Sequence, residues 1–382
     1  MATLQSRLSL EALKSAVHSY VDSNKIDLSS LSVTKDNIVG LVDTIGKIYT
    51  LDSAVYDKLP ELDGEKLSFG KTIEEWQQDM LLPVSYDEDS DGNKALKDYT
   101  PNYRDVSFSI TLGRKIFPTS IPFGNVERAV HNQGQYEEVV AMITKKLEDS
   151  VSLWKYDCKR ELIGAFIDKV EGAMSSSATS YVQNTTALTK GSFYKASYGS
   201  PSATHYGVAM LSQDAENKTF AQLIEAGKII ELQAVKEVAI PVDTDTGEAF
   251  IQAVKEAVEK AKDVSEGFSL SGNVIGVEEG LKLYVKQGVM PNLEVKTLSG
   301  AFHEEKLSMD VEAKVIKDFG KTSSTAFAVL VDPRGIRLFE GYNATRSNEN
   351  GYADRLNLFR HVEYTGHVSR NAFICVFRPA SA

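Results

Sequence analysis

The one cluster of residues with the types and spacing for metal chemistry is an acidic loop. Asp87, Asp89, Asp91, Gly92, Asn93 and Asp98 fall at positions one, three, five, six, seven and twelve of a calcium-loop pattern, where oxygen ligands and a sharp glycine turn are needed. Three departures weigh against it. Pro83 interrupts the helix that should lead in, Lys94 replaces the apolar residue of position eight, and Asp98 is shorter than the bidentate glutamate. A solvated acidic loop tip is the stronger reading, and Asp87, Asp89, Asp91, Asn93 and Asp98 stand as a weak calcium candidate.

Two Gly-Lys-Thr triplets, at residues 70–72 and 320–322, invite a search for a phosphate loop. Such a loop needs an earlier glycine so that successive backbone amides can nest around phosphates. Gly64 stands one position too early for the first triplet, and Val315 occupies the required position for the second. The histidines His18, His131, His205, His303, His361 and His367 show no ligand spacing on one helix face. No serine sits in a Gly-x-Ser-x-Gly elbow, and no carboxylate pair stands out as acid and base. The sequence therefore reads as a protein that is not an enzyme and needs no cofactor.

The elements around these residues are more telling. Tyr136, Val139, Val140, Ile143, Leu147, Val151, Trp154, Cys158, Leu162, Phe166 and Val170 recur in steps of three and four, which predicts one amphipathic helix over residues 136–170. At about 1.5 Å per residue it is a rod of about 50 Å, the spine of a flat subunit suited to tiling a surface. Pro118, Pro122 and Gly124 punctuate the way into it, Gly172 and the serine run 175–177 end it, and Gly164 is a weak spot within it. Strict alternation of Val106, Phe108, Ile110 and Leu112 predicts a strand over residues 105–112, with residues 67–69 and Ile73 as its weaker partner. Between them runs a polar excursion, residues 86–101. A two-stranded arm of this kind is marginal alone in water and needs a neighbouring chain.

Two helices open the chain, over residues 9–23 and 36–49. From residue 179 the pattern is mixed α+β: a helix over residues 248–263, and strands over 281–285, 293–297, 326–331, 335–339, 357–366 and 372–377.

Composition bounds the rest. The chain has 382 residues, 42% of them hydrophobic and 25% charged, the balance of a folded protein. With 53 acidic residues against 42 basic ones the net charge is −11, unsuited to gripping nucleic acid through its phosphates. Two cysteines within apolar patterns, Cys158 and Cys375, suggest buried thiols of a reducing cytoplasm. No stretch approaches a membrane span or a signal peptide. After Lys321 there is no lysine, yet Arg334, Arg337, Arg346, Arg355, Arg360, Arg370 and Arg378 follow, and arginine is favoured in partly desolvated contacts between chains.

The succession of residues 37–49 (NIVGLVDTIGKIY), 69–79 (FGKTIEEWQQD), 132–163, 331–339 (VDPRGIRLF) and 357–377 resembles the major capsid proteins of tailed double-stranded DNA bacteriophages, and within them those of small short-tailed phages. The resemblance covers the chain from about residue 34 onward. It implies an α+β shell fold of the Hong Kong ninety-seven type, shared with herpesviruses, with a long spine helix and an extended β-arm. Its layout would be an N-terminal arm with helices (1–58), the extended β-arm (59–117), a peripheral domain with the spine helix (118–178), an axial domain (179–346) and C-terminal strands returning to the peripheral domain (347–382). It further implies assembly with other copies of itself, as pentamers and hexamers, into an icosahedral shell around packaged DNA held without sequence-specific contact. A separate scaffolding protein and a portal would be partners, no membrane would be involved, and assembly would occur in the bacterial host cytoplasm. Phe69, Trp76, Tyr86, Tyr99, Arg104, Phe108, Arg334, Arg337, Arg355 and Arg360 are the candidate contacts between subunits. The same subunit would serve as the shell of an encapsulin-like nanocompartment enclosing a cargo enzyme, and the sequence alone leaves that alternative open.

Overall fold

A computed structural model describes residues 57–67, 73–78, 103–107, 109–122, 133–175, 193–198, 203–209, 219–225, 229–264, 267–271, 276–277, 279–290 and 311–379. In chain order the elements are β1 (Glu74–Gln78), β2 (Tyr103–Ser107), β3 (Ser109–Pro122), α1 (Gln133–Ser175), β4 (Phe193–Tyr198), β5 (Ala203–Ala209), α2 (Phe220–Glu225), β6 (Ile229–Glu231) and β7 (Val235–Glu237). There follow α3 (Thr244–Lys262), β8 (Lys282–Lys286), β9 (Glu312–Ile316), β10 (Ala328–Val331), β11 (Ile336–Asn350), β12 (Arg355–Val368) and β13 (Ile374–Arg378). The chain divides into two compact units, and the long helix α1 contributes residues 133–159 to the first and 160–175 to the second.

The first unit also takes residues 110–122, 338–366 and the described stretch 57–67. Its three-stranded sheet has the order β11-β12-β3. The strand expected to stop at Leu112 continues as β3 to Pro122, so Pro118 and Pro122 lie within it and do not mark the way into the helix. The order of the sheet gives the reason: β3 is an edge strand, where a missing N–H breaks no ladder. Against this sheet the helix lays Trp154, its ring 5.0 Å from Tyr364 and 5.9 Å from Phe117. Leu147, Val151 and Cys158 are buried beside it, as are Leu338, Leu356, Leu358 and Val362 of the sheet.

Residues 57–67 lie along the first part of β11. Asp63 bridges Leu338 in parallel, Gly64 N–H donates to the Leu338 carbonyl (2.9 Å), and Leu67 N–H donates to the Glu340 carbonyl (3.0 Å). Leu67 is thus used here and does not pair with the strand that starts the arm. A Cβ on Gly64 would stand 2.7 Å from the Phe339 ring, so a larger residue here would push that ring aside.

The second unit is built on a five-stranded mixed sheet, order β7-β13-β10-β8-β9. β10 is central and antiparallel to both β13 and β8, while β7 and β9 add parallel edges. All four residues of β10, Ala328 to Val331, are buried, which explains its unbroken apolar run. The final strand β13 therefore belongs to this sheet, with Val376 opposite both Val329 and Val235. α3 covers one patch of the sheet through Phe250, whose ring lies 5.3 Å from Phe327 and 5.5 Å from Phe377. Phe250, Ile251, Val254, Ala257, Val258 and Ala261 are all buried on the face that the periodicity predicts. The helix starts earlier than residue 248 because Asp243 caps it: its side chain accepts from Thr246 N–H while the Thr246 hydroxyl oxygen accepts from Asp243 N–H. A second sheet, order β4-β5-β6, is antiparallel throughout.

The same unit contains the ribbon β1–β2, antiparallel from Glu74 opposite Ser107 to Gln78 opposite Tyr103. The partner of β2 is thus residues 74–78, directly after the expected Ile73, while residues 68–69 lie outside the described residues.

Candidate functional site

The acidic loop, residues 87–98, and the first Gly-Lys-Thr triplet, residues 70–72, lie outside the described residues, and among the described residues no group of three or more metal-ligand types comes together. The second Gly-Lys-Thr triplet is a structural turn. Asp318 fills the position that a phosphate would need, its Oδ1 accepting from Gly320 N–H at 2.9 Å and pairing with Arg160. Burial raises the Asp318 pKa and the Gly320 amide and Arg160 more than offset it, so the carboxyl is held below its ordinary value. Lys321 points outward with its side chain 89% exposed, near Glu161.

That turn forms one end of a polar strap along the helix. Thr322 Oγ1 donates to Asp168 (2.5 Å) and Ser324 Oγ donates to Glu171 (2.6 Å), one helical turn apart on α1. Gly164 lies beneath the strap. A Cβ there would stand 2.0 Å from the Phe319 carbonyl oxygen, so Gly164 is a point of close backbone approach and not the weak spot that its type suggests.

The described histidines are structural neighbours of other groups. His361 meets Tyr342 edge-on at 6.5 Å between centroids, and His367 Nε2 lies 3.8 Å from Glu75.

The features that remain are surfaces. Trp76 is 67% exposed on β1, opposite Asp105 of β2. A large indole so placed leaves an apolar surface uncovered on the ribbon. On α1, Met142 and Leu153 are exposed and stand eleven residues apart, three turns along one side of the helix. Tyr352 is fully exposed at the β11–β12 turn, where Asp354 takes a positive φ of 47°.

The arginine candidates have different fates. Arg334 is half of a fork with Asp332, Nε donating at 3.0 Å and Nη2 at 2.8 Å, yet its side chain is 67% exposed. The pair presents a planar, charge-matched edge outward, and Asp332 holds Arg334 above its ordinary pKa. Arg355 is exposed at the start of β12, and Arg337 is half-buried on β11. Arg360 is engaged inside the first unit, 3.3 Å from Glu148 and donating to Thr345 Oγ1 at 2.9 Å. Burial pushes the Glu148 pKa up, with Arg360 opposing. Arg104 pairs through its backbone with Gln77 on the ribbon. Phe69, Tyr86, Tyr99 and Phe108 lie outside the described residues.

One important residue escaped the sequence reading. Lys159 is completely buried on the helix, with its amine 2.5 Å from Asp57, 2.8 Å from Asp63 and 2.6 Å from the Leu59 carbonyl. Lys155, one turn earlier, also reaches Asp63 at 2.9 Å. The only signal available was position: Lys159 falls between Cys158 and Leu162 on the apolar stripe.

Solved structures show what this architecture is. The capsid structure of Staphylococcus phage Andhra matches with a TM-score of 0.56 and 9% identity over 86% of each chain. The structure of head fiber and inner core protein gp22 of native bacteriophage P68 matches with a TM-score of 0.54 and 9% identity, again over 86% of each chain. No curated protein sequence matches the chain. The fold is the α+β shell fold of the Hong Kong ninety-seven type found in tailed-phage capsids. The profile of the Phi29-like phage major capsid protein family matches residues 5–378, and the chain belongs to that family. It is a structural protein of the phage capsid.

Proposed function

We propose that this protein assembles as pentamers and hexamers into an icosahedral shell that encloses packaged double-stranded DNA, with a scaffolding protein and a portal as partners during assembly in the host cytoplasm. The observation that carries the reading is Trp76, 67% exposed on a two-stranded ribbon. Such a ribbon does not bury its own faces, and a second copy of the chain supplies the missing cover. In this reading residues 59–117 hold the arm that overlaps a neighbour, residues 118–178 with 347–382 make the peripheral domain apart from β13, which pairs into the sheet of the axial domain, and residues 179–346 make the axial domain. Trp76 with Phe69, Tyr86, Tyr99, Arg104 and Phe108 contacts the neighbour from the arm, and Arg334, Arg337 and Arg355 contribute charged contacts. The net charge of −11 suits a lining that encloses DNA without gripping it.

Negative-stain electron microscopy with sedimentation tests this reading. Closed shells, or rings of five and six, are expected from the full chain alone or co-expressed with its scaffolding protein. A chain that stays monomeric under both conditions overturns it.

A further inference from the structure

The ribbon β1–β2 meets the rest of its unit at Glu75. Ser369 Oγ donates to Glu75 Oε1 at 2.5 Å, Asn371 Nδ2 donates to the same oxygen at 2.8 Å, and Arg370 N–H donates to Oε2 at 3.2 Å. His367 Nε2 stands 3.8 Å from Oε2. Lys169 of α1 feels both the Glu75 carboxylate and Arg370 electrostatically. Among the described residues, the bonds that β1 makes outside the ribbon end on this side chain, while its neighbours Glu74 and Trp76 face solvent.

The receiving side is held without help from the ribbon. Ser369 N–H donates to the Gly335 carbonyl at 2.8 Å, Ser271 N–H donates to the Arg370 carbonyl at 3.1 Å, and Asn371 N–H donates to Ser369 Oγ at 3.0 Å. A Cβ on Gly335 would stand 2.0 Å from Ala372 Cβ, so the turn is also packed tightly against that glycine. Turn 369–371 is therefore a preformed carboxylate cradle, built of a hydroxyl, a carboxamide and a backbone amide, with His367 alongside.

We propose that Glu75 is a detachable latch: its carboxylate seats the root of the β1–β2 ribbon in the 369–371 cradle, and withdrawing it frees the ribbon while the five-stranded sheet stays folded. The physical reason is the kind of attachment. An apolar root would have to expose buried core to move, whereas a carboxylate and its cradle exchange their mutual hydrogen bonds for hydrogen bonds to water or to another carboxylate. Lys169 is a second reporter of the same seat. Burial pushes its amine down to about 8, Arg370 adds to that, and the Glu75 carboxylate pulls the other way.

Hydrogen exchange on the full chain tests the latch with Glu75→Gln and Glu75→Ala. Glu75→Gln is expected to speed exchange of the β1 and β2 amides about tenfold or more, leaving β8, β10 and β13 unchanged. In Glu75→Ala, formate is expected to fill the vacated cradle, which liquid-state calorimetry reads as saturable binding absent from the unaltered chain. Unchanged exchange in the ribbon, or acceleration that spreads to β8, β10 and β13, overturns the latch. Acceleration confined to the ribbon, but with no saturable formate binding to Glu75→Ala, overturns the preformed cradle.

Discussion

Gly164 and Phe319 touch backbone to backbone: the position of a Cβ on Gly164 lies 2.0 Å from the Phe319 carbonyl oxygen. Two effects oppose each other at this position. Alanine would raise helix propensity by about 1 kcal/mol. The added methyl would displace the Phe319 carbonyl, and an overpacked backbone contact costs typically about 1–3 kcal/mol. The carbonyl cannot turn aside cheaply, because its neighbours are tied to α1: Asp318 to Arg160, Thr322 to Asp168 and Ser324 to Glu171. A 2.0 Å approach to backbone puts the cost in the upper part of that range, about 2–3 kcal/mol, so Gly164→Ala is expected to lower stability by about 1–2 kcal/mol net, read by urea unfolding. Unchanged or higher stability would show that the strap gives way freely.

Lys159 sets a larger effect. Its side chain has no exposure, while those of Asp57 and Asp63 are 26% and 35% exposed. Removing the amine leaves two aspartates that rotate toward water. Removing one aspartate leaves the lysine with the other. Lys159→Met is thus expected to cost only about 1 kcal/mol, and Asp57→Asn or Asp63→Asn no more, while the Asp57→Asn/Asp63→Asn pair strands the buried ammonium, costs about 3 kcal/mol and exceeds their sum. Chemical denaturation of the four variants checks the order. An additive double variant would mean that the two aspartates act independently.

What was legible in the chain followed local periodicity. The faces of α1 and α3 read directly from steps of three and four, because one solvent boundary runs along each helix. The limits of β3 did not, since Pro118 stops a central strand but not an edge strand, and edge status depends on which strands lie alongside. The partner of β2 was legible only at Ile73, next to the strand Glu74–Gln78: Leu67 is close in sequence, yet it is spent on β11. Gly164, Lys159 and Glu75 were invisible as important residues because each answers to a group far along the chain, as Lys155 does to Asp63, 92 positions away. The assembly surface was legible only in outline: the ribbon was expected, but the exposure of Trp76 came from its place in the pleat.

Lys169 gives a pH prediction with a definite sign. Its folded value is about 8 against an ordinary value of 10.5, so the unfolded chain binds more protons between these limits. Stability from this group therefore rises as pH goes from about 8 to 10.5 and is flat below. Lys169→Met is expected to remove that rise, seen as the difference between variant and parent in denaturant midpoints across the window. Equal slopes for the two proteins would assign the lysine no net proton linkage.

The assembly reading makes its sharpest demand on Trp76. With its side chain 67% exposed in the single chain, the indole contributes little to the fold, so Trp76→Ala should unfold at nearly the temperature of the parent. If the ribbon docks on a second copy, the same indole becomes a buried aromatic anchor, where truncation typically costs about 2 kcal/mol or more per contact. A loss of that size multiplies across every subunit contact of a shell. Trp76→Ala is accordingly expected to leave a folded chain that requires well over tenfold more protein to assemble, measured by sedimentation of shells against free subunits. Normal assembly by a variant of unchanged stability would move the docking surface away from β1, toward the Met142–Leu153 side of α1 or the Tyr352 turn. Lowered stability without an assembly defect would place the indole against its own chain.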